Sequence, residues 1–132
     1  MPVSDIMTRK LITVAPDISI GELHPMFKQF GIHHLLVVED GQLVGMISDR
    51  DVLRNISPFA YTAAAEKKDQ FTLTRKAHQI MTKNLITVGP NSGIRDACDV
   101  MLRGNVSLLP VVDHGKLVGV LSWKDILGYF IQ

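Results

Sequence analysis

Apolar and polar residues fall into blocks along this chain, and the blocks recur in the same order. A β-rich stretch, Leu11–Val14, is closed by Pro16. Ser19-Ile20-Gly21-Glu22 follows in capping-box form, with the serine placed to accept an amide bond and the glutamate to reach back. Ile20, Leu23, Phe27 and Phe30 then recur at helical spacing, which predicts one buried helix face. Pro25 lies past the first turn and should kink that helix. Two apolar strands come next, Leu35–Glu39 and Leu43–Ile47, around Asp40-Gly41-Gln42. Glycine accepts positive φ at such a place, the mark of a tight hairpin. A last helix begins at Ser48 or Asp49.

The same elements return further on. A shift of 74 residues lays Ile6–Ile56 on Ile80–Phe130 without a gap. Ile6-Met7-Thr8 falls on Ile80-Met81-Thr82, Leu11–Val14 on Leu85–Val88, and Pro16 on Pro90. Val37-Val38 falls on Val111-Val112, and Leu43-Val44-Gly45 on Leu117-Val118-Gly119. In the second copy Ile94, Ala97, Cys98, Met101 and Leu102 make the helix stripe, and Leu109–Val112 and Leu117–Leu121 flank His114-Gly115-Lys116. The fold class expected is α/β (α+β), two β-α-β-β-α units. Each has about 50 residues and buries only about 60% of its unfolded surface, so it is marginal alone. Packing the two face to face about a pseudo-two-fold axis would solve that. The expected organisation is repeat 1 at 1–58, a helical linker at 59–76 and repeat 2 at 77–132. The linker assignment rests on the helix propensity of Ala60–Asp69, whose lysines read as a solvated face.

Composition narrows the classes. Hydrophobic residues make up 46% and charged residues 20% of the 132, enough apolar material for a core. Net charge is +1, far from the basic field of a nucleic-acid binder. Apolar runs such as Leu35–Val38 are far short of the roughly 20 residues of a membrane span, and the first residues lack signal-peptide form. One cysteine, Cys98, allows no internal disulfide, suits a reducing compartment and sits on an apolar stripe as a core residue. These features predict a soluble, cytoplasmic protein.

Both units carry Gly-x-x-Ser-x-x-Asp, at Gly45–Asp51 and Gly119–Asp125. A serine there stands beside unpaired amides at a helix start, where the dipole favours an anion. An aspartate one turn on could accept hydrogen bonds from a sugar diol. Ser-x-x-Asp is also an ordinary capping pattern, and that reading stays open.

With Ile-Met-Thr, Ile-Thr-Val-x-Pro and Val-Val-x-x-Gly-x-Leu-Val-Gly each seen twice in fixed order, the chain resembles a tandem pair of cystathionine-β-synthase-type (CBS) domains, or Bateman module, from Val3 to Phe130. The resemblance implies regulatory binding of AMP, ADP, ATP, S-adenosylmethionine or a dinucleotide in clefts between the repeats, with no catalytic cofactor. Carried over, it gives Asp51 and Asp125 to ribose hydroxyls and Ser48 and Ser122 to phosphate, with Arg50 and Lys124 as further nucleotide-binding candidates. Thr8 with Ile12, Thr82 with Ile86, Ile32-His33-His34 and Val106-Ser107-Leu108 would line the base pocket. Each cleft would join the aspartate motif of one repeat to opening and second-strand segments of the other, so that Asp125 goes with His33 and Asp51 with Ser107.

Charge predicts unequal clefts. Ser48–Asp51 sums to −1 and Ser122–Asp125 to 0. A carboxylate about 4 Å from a phosphate costs roughly 1 kcal/mol in water and about 4 near a protein surface, so the Asp125 cleft should prefer phosphorylated ligands. Trp123 could stack on a base, though filling an apolar seam is the simpler role. His33 and His34 point to opposite faces of an extended segment and chelate one ion poorly, so no metal site is expected. At His33 a pH-sensitive phosphate contact fits better. No Ser–His–Asp set, metal cluster or Walker-type loop argues for an enzyme. The alternative to a ligand sensor is a scaffold or adaptor with empty clefts. Under either, a homodimer through apolar residues near Leu53, Ile56 and Phe130, and a regulated protein partner, are expected by analogy.

Overall fold

The computed structural model describes all 132 residues, Met1–Gln132. Its elements run β1 (Thr13–Val14), α1 (Ile20–Phe30), β2 (His34–Glu39), β3 (Gln42–Ser48), α2 (Asp49–Asn55), α3 (Lys67–Phe71), α4 (Ala77–Ile80), α5 (Ile94–Gly104), β4 (Leu108–Asp113), β5 (Lys116–Ser122) and α6 (Trp123–Phe130). A mixed α+β fold with the repeated order is what the pattern predicted. β2 and β4 bury the same three positions, Leu35-Leu36-Val37 and Leu109-Pro110-Val111, and β3 and β5 bury Gly45 with Ile47 and Gly119 with Leu121. Both hairpins turn through two residues of positive φ, Asp40-Gly41 and His114-Gly115.

Local differences have local causes. α1 is continuous through Pro25, which costs it one amide donor. Ser19 caps it by accepting from the Glu22 amide at 3.2 Å. Phe30, expected on the buried face, is 44% exposed because α1 ends there and Gly31 turns away at φ 63°. Leu102, expected on the stripe of α5, is likewise exposed, whereas Ile94, Ala97 and Met101 are buried and Cys98 is half-buried. The counterpart of β1 in repeat 2 shrinks to one parallel bridge, Val88 with Val111. In the linker only Lys67–Phe71 is α-helical. Residues 59–65 form successive tight turns instead, with the Thr62 amide and hydroxyl both bonded to the Phe59 carbonyl. The hydroxyl and amide of Thr62 are taken up by the Phe59 carbonyl in a local turn, and no cap starts a helix before Glu66. The helix starts only where Asp69 accepts from the Glu66 amide at 2.9 Å.

In space the chain divides into two compact units that cut across the sequence repeats. One comprises Met1–Leu11, Gly41–Leu43 and Ile86–Gln132; the other comprises Ile12–Asp40 and Val44–Leu85. The cause is an exchange of opening segments. In the first unit the Val3 amide donates to Ser92 at 2.8 Å and the Ser4 amide to Pro90 at 3.0 Å, while Thr8 and Val120 exchange amide-to-carbonyl bonds of 2.8 and 2.9 Å. The second unit repeats these bonds 74 residues on: Ala77 to Ile18 at 2.8 Å, His78 to Pro16 at 3.1 Å, and Thr82 with Met46 at 2.9 and 3.0 Å. The cores follow suit. Val3 and Met7 join Ala97, Met101, Leu109, Val111, Leu121 and Ile126. Ala77 joins Val14, Ile20, Leu23, Phe27, Leu35, Val37, Ile47 and Val52.

Candidate ligand-binding site

The Gly-x-x-Ser-x-x-Asp motif acquires a physical reading at both ends. A Cβ on Gly119 would stand 2.6 Å from Met7 Sδ and 3.1 Å from the Thr8 carbonyl oxygen. One on Gly45 would meet the Sδ and Cγ of Met81 as closely. The glycine is thus the seat of the methionine in Ile-Met-Thr, and it sets the threonine beside the strand end that carries the aspartate. Three residues on, both serines cap the following helix. The Asp51 amide donates to Ser48 Oγ at 3.1 Å and the Ser48 amide to Asp51 Oδ2 at 2.8 Å. In α6 the Ser122 amide donates to Asp125 Oδ2 at 2.9 Å and the Asp125 amide to Ser122 Oγ at 3.4 Å. The capping reading therefore holds in both copies, and each cap uses one carboxylate oxygen only.

The second oxygen distinguishes the copies. Asp125 Oδ1 accepts from the Thr8 hydroxyl at 3.0 Å. Asp51 Oδ1 instead faces the Arg54 guanidinium at 3.5 Å. Gly128 occupies the position equivalent to Arg54. This revises the charge comparison: extended by one helical turn, Ser48–Arg54 and Ser122–Gly128 both sum to zero. The expected preference of the Asp125 side for phosphorylated ligands loses its basis, because Arg54 lay outside the four-residue window. Arg50 and Lys124 are exposed on their helices.

The remaining candidates separate by unit. In the unit that holds Asp125, Val106 and Ser107 join Met101, Leu102, Asn105 and Trp123 in a hollow of about 190 Å³, which Asp125 itself does not line. Sites that enclose a whole drug-sized ligand start near 300 Å³, so this one suits a single ring or group. The Ser107 carbonyl accepts from the Trp123 amide at 3.3 Å, and Leu108 opens β4. Ile86 is 42% exposed in this unit. Around Asp51, the His33 carbonyl accepts from the Asp49 amide at 3.1 Å, and His33 Nδ1 pairs with Asp49 Oδ2 at 2.8 Å. That bond holds the Asp49 carboxyl below its ordinary range. Burial pushes the His34 imidazole below its ordinary value, against the opposing pull of Asp49 and Asp51. Ile12 and Ile32 pack on the second core, and Thr82 holds its backbone bridge to Met46. No three His, Cys, Asp or Glu side chains are gathered as a metal would need. Arg54 and the methionine–glycine fit were missed from sequence; a 74-residue overlay of Arg54 on Gly128 held the first signal, and nothing local held the second.

The CBS domain family model matches residues 3–58 and again 77–132. The chain belongs to the CBS domain family. Among relatives of this CBS pair, the CBS domain-containing protein YhcV of Bacillus subtilis (strain 168) is 32% identical over 124 residues, covering 94% of this chain and 81% of YhcV. Four other curated relatives are longer, and the chain spans 22% to 42% of their length. Among solved structures, CBSX2 in complex with AMP superposes with a TM-score of 0.83 at 27% identity, over 99% of this chain and 96% of CBSX2. The CBS domain pair of protein MJ0100, in complex with 5-methylthioadenosine and S-adenosyl-L-methionine, gives 0.76 at 29% identity, over 98% and 95%. No helix is long and apolar enough to cross a membrane.

Proposed function

We propose that this CBS pair is a regulatory module that binds an adenosine-containing ligand, AMP, ADP, ATP or S-adenosylmethionine, and carries out no catalysis of its own. The observation that carries the reading is the outer oxygen of Asp125, left over from the cap and already accepting from a hydroxyl. An oxygen that accepts from threonine can accept from ribose. A hollow in the same unit, lined by Trp123, Met101 and Val106 together with Asn105 and Ser107, offers a small recess of mixed polarity for a ring. The AMP held by CBSX2 and the two adenosyl ligands held by MJ0100 support the class of ligand. Binding would act on a partner, or on a larger protein carrying such a pair, through different affinities for two arrangements of the module. We place that module in the cytoplasm, as a homodimer; Leu53 and Phe130, exposed at 64% and 63%, supply apolar surface for a second copy.

The test is thermal melting against the four ligands, followed by calorimetry. A ligand at a hundred times its dissociation constant adds about 2.7 kcal/mol of stability. Asp125→Ala should weaken binding roughly ten- to hundredfold, from the loss of charge-assisted hydrogen bonds. A second reading, a scaffold without ligand, is favoured by the completeness of both caps and the small hollow. It would stand if none of the four ligands raised the melting temperature.

A further inference from the structure

The two serine–aspartate motifs carry the same formal charge but have different neighbours. In the unit that holds Asp51, backbone ties the entry of β2 to the first turn of α2, the His33 carbonyl accepting from the Asp49 amide at 3.1 Å. His33 Nδ1 pairs with Asp49 Oδ2 at 2.8 Å, and its ring is 80% exposed. Adjacent residues of an extended segment point to opposite faces, so His34 turns the other way and is half-buried. The charged groups that bear on His34 are Asp49 and Asp51 of α2 and His33 beside it. β1 and β3, which flank β2 in the sheet, carry none. Burial holds the His34 imidazole below its ordinary value, against the pull of both carboxylates, so the ring is uncharged at neutral pH. The other unit has no such group. Ser107, Leu108 and Trp123 stand at the positions of His33, His34 and Asp49, and Gly128 at that of Arg54.

We infer that His34 makes the Asp51 motif the one of the two that prefers a phosphorylated adenosyl ligand, and that such a ligand binds there with uptake of a proton. This rests on the adenosyl-binding reading and adds the charge of the ligand each motif takes. With His34 neutral, Asp49, Arg50, Asp51 and Arg54 sum to zero, as do Lys124 and Asp125. A phosphate ester on a sugar held by Asp51 brings negative charge to the turn that His34 faces. Negative charge nearby favours the imidazolium, which in turn attracts the phosphate. A group that gains a proton on binding makes affinity rise as pH falls. The Asp125 motif has Leu108 in place of His34, and none of its matching positions titrates near neutrality. An uncharged ligand brings no phosphate and gains nothing from the imidazole.

Calorimetry on the full chain tests this, with AMP and the uncharged 5-methylthioadenosine as probes, at about pH 7.5 and about pH 6.5. Asp125→Ala leaves the Asp51 motif to be read alone, and Asp51→Ala leaves the other. In Asp125→Ala, AMP affinity should rise about two- to fivefold over that unit of pH, one linked proton allowing at most about tenfold. The binding heat should vary with the ionisation enthalpy of the buffer, which registers the proton. 5-Methylthioadenosine should bind no more tightly at the lower pH, and the preference for AMP over it should be larger at the Asp51 motif than at Asp125. The phosphate of AMP itself titrates near about pH 6, a contribution retained when His34→Gln is added to Asp125→Ala. That double variant should bind AMP with the rise gone. A pH dependence that survives His34→Gln, or is equal at both motifs, overturns the inference while sparing the adenosyl reading. So does AMP binding confined to the Asp125 motif, or loss of both probes on adding His34→Gln. Absence of binding by the unsubstituted chain overturns that reading and the inference with it.

Discussion

Gly119→Ala is the sharpest test of how the opening segment is seated. A new Cβ would stand 2.6 Å from Met7 Sδ, 3.0 Å from Met7 Cγ and 3.1 Å from the Thr8 carbonyl oxygen. Carbon contacts are optimal near 3.5–4.0 Å, so the intrusion is roughly an ångström against the methionine and somewhat less against backbone. The thioether can swing, but Met7 is only 8% exposed within a core, and the Thr8 carbonyl is pinned by the Val120 amide at 2.9 Å. Overpacking of this kind costs about 1–3 kcal/mol. Removing a glycine from the unfolded chain returns about 0.4–1 kcal/mol. The net loss should be about 1–2 kcal/mol, measured as a lower urea midpoint at unchanged m, with a melting point lower by about 3–6 °C per kcal/mol. Met7→Ala alone should cost about 2–5 kcal/mol by leaving a cavity. The double substitution should cost at least about 1 kcal/mol less than the sum, because each change relieves the other. Strict additivity, or a Gly119→Ala loss under about 0.5 kcal/mol, would refute the account.

Other outcomes follow from single groups. Gly31→Ala meets no atom within 4 Å, so its cost should be backbone alone, about 1–2 kcal/mol for a Cβ at φ 63°, read by urea denaturation. Asp69 is held below its ordinary value of 3.8, chiefly by the Ser57 hydroxyl at 2.6 Å and then by the Glu66 amide. A depressed carboxylate stabilises the fold above its unfolded pKa and ceases to as pH falls through the lower folded value. Urea midpoints below pH 4 should therefore drop less steeply in Asp69→Asn. His34, pushed below 6.5 by burial, makes the fold lose stability as pH falls from about 6.5 towards its lower folded pKa. Midpoints between pH 7 and 5 should flatten in His34→Gln.

Much of the fold could be read in advance because its signals are local. The Asp40-Gly41 and His114-Gly115 turns, the Ser19 cap and the three buried positions of each hairpin's first strand depend on neighbours a few residues away. Ser48 and Ser122 were legible as caps for the same reason. The spatial units were not. The bonds of Val3 to Ser92 and Ala77 to Ile18 are long-range, and periodicity within either repeat is silent about which repeat supplies an opening segment. The linker misled because propensity favours helix at Ala63-Ala64-Ala65, while the turn bonds of Thr62 and the cap at Glu66 decided where helix begins. At the site, the carboxylates, the serines and Thr8 were among the residues the resemblance brought in, whereas Arg54, which faces the outer oxygen of Asp51, lies outside its motifs and depends on geometry alone.

The traded openings bear on ancestry. A single 50-odd-residue repeat, set free, would have its own Ile-Met-Thr stretch looking for a glycine strand and its own glycine strand lacking a methionine. Only a twin molecule could satisfy both demands at once, by mutual loan. Duplication within one chain keeps both partners at hand, so that each core closes on a segment contributed by the other repeat.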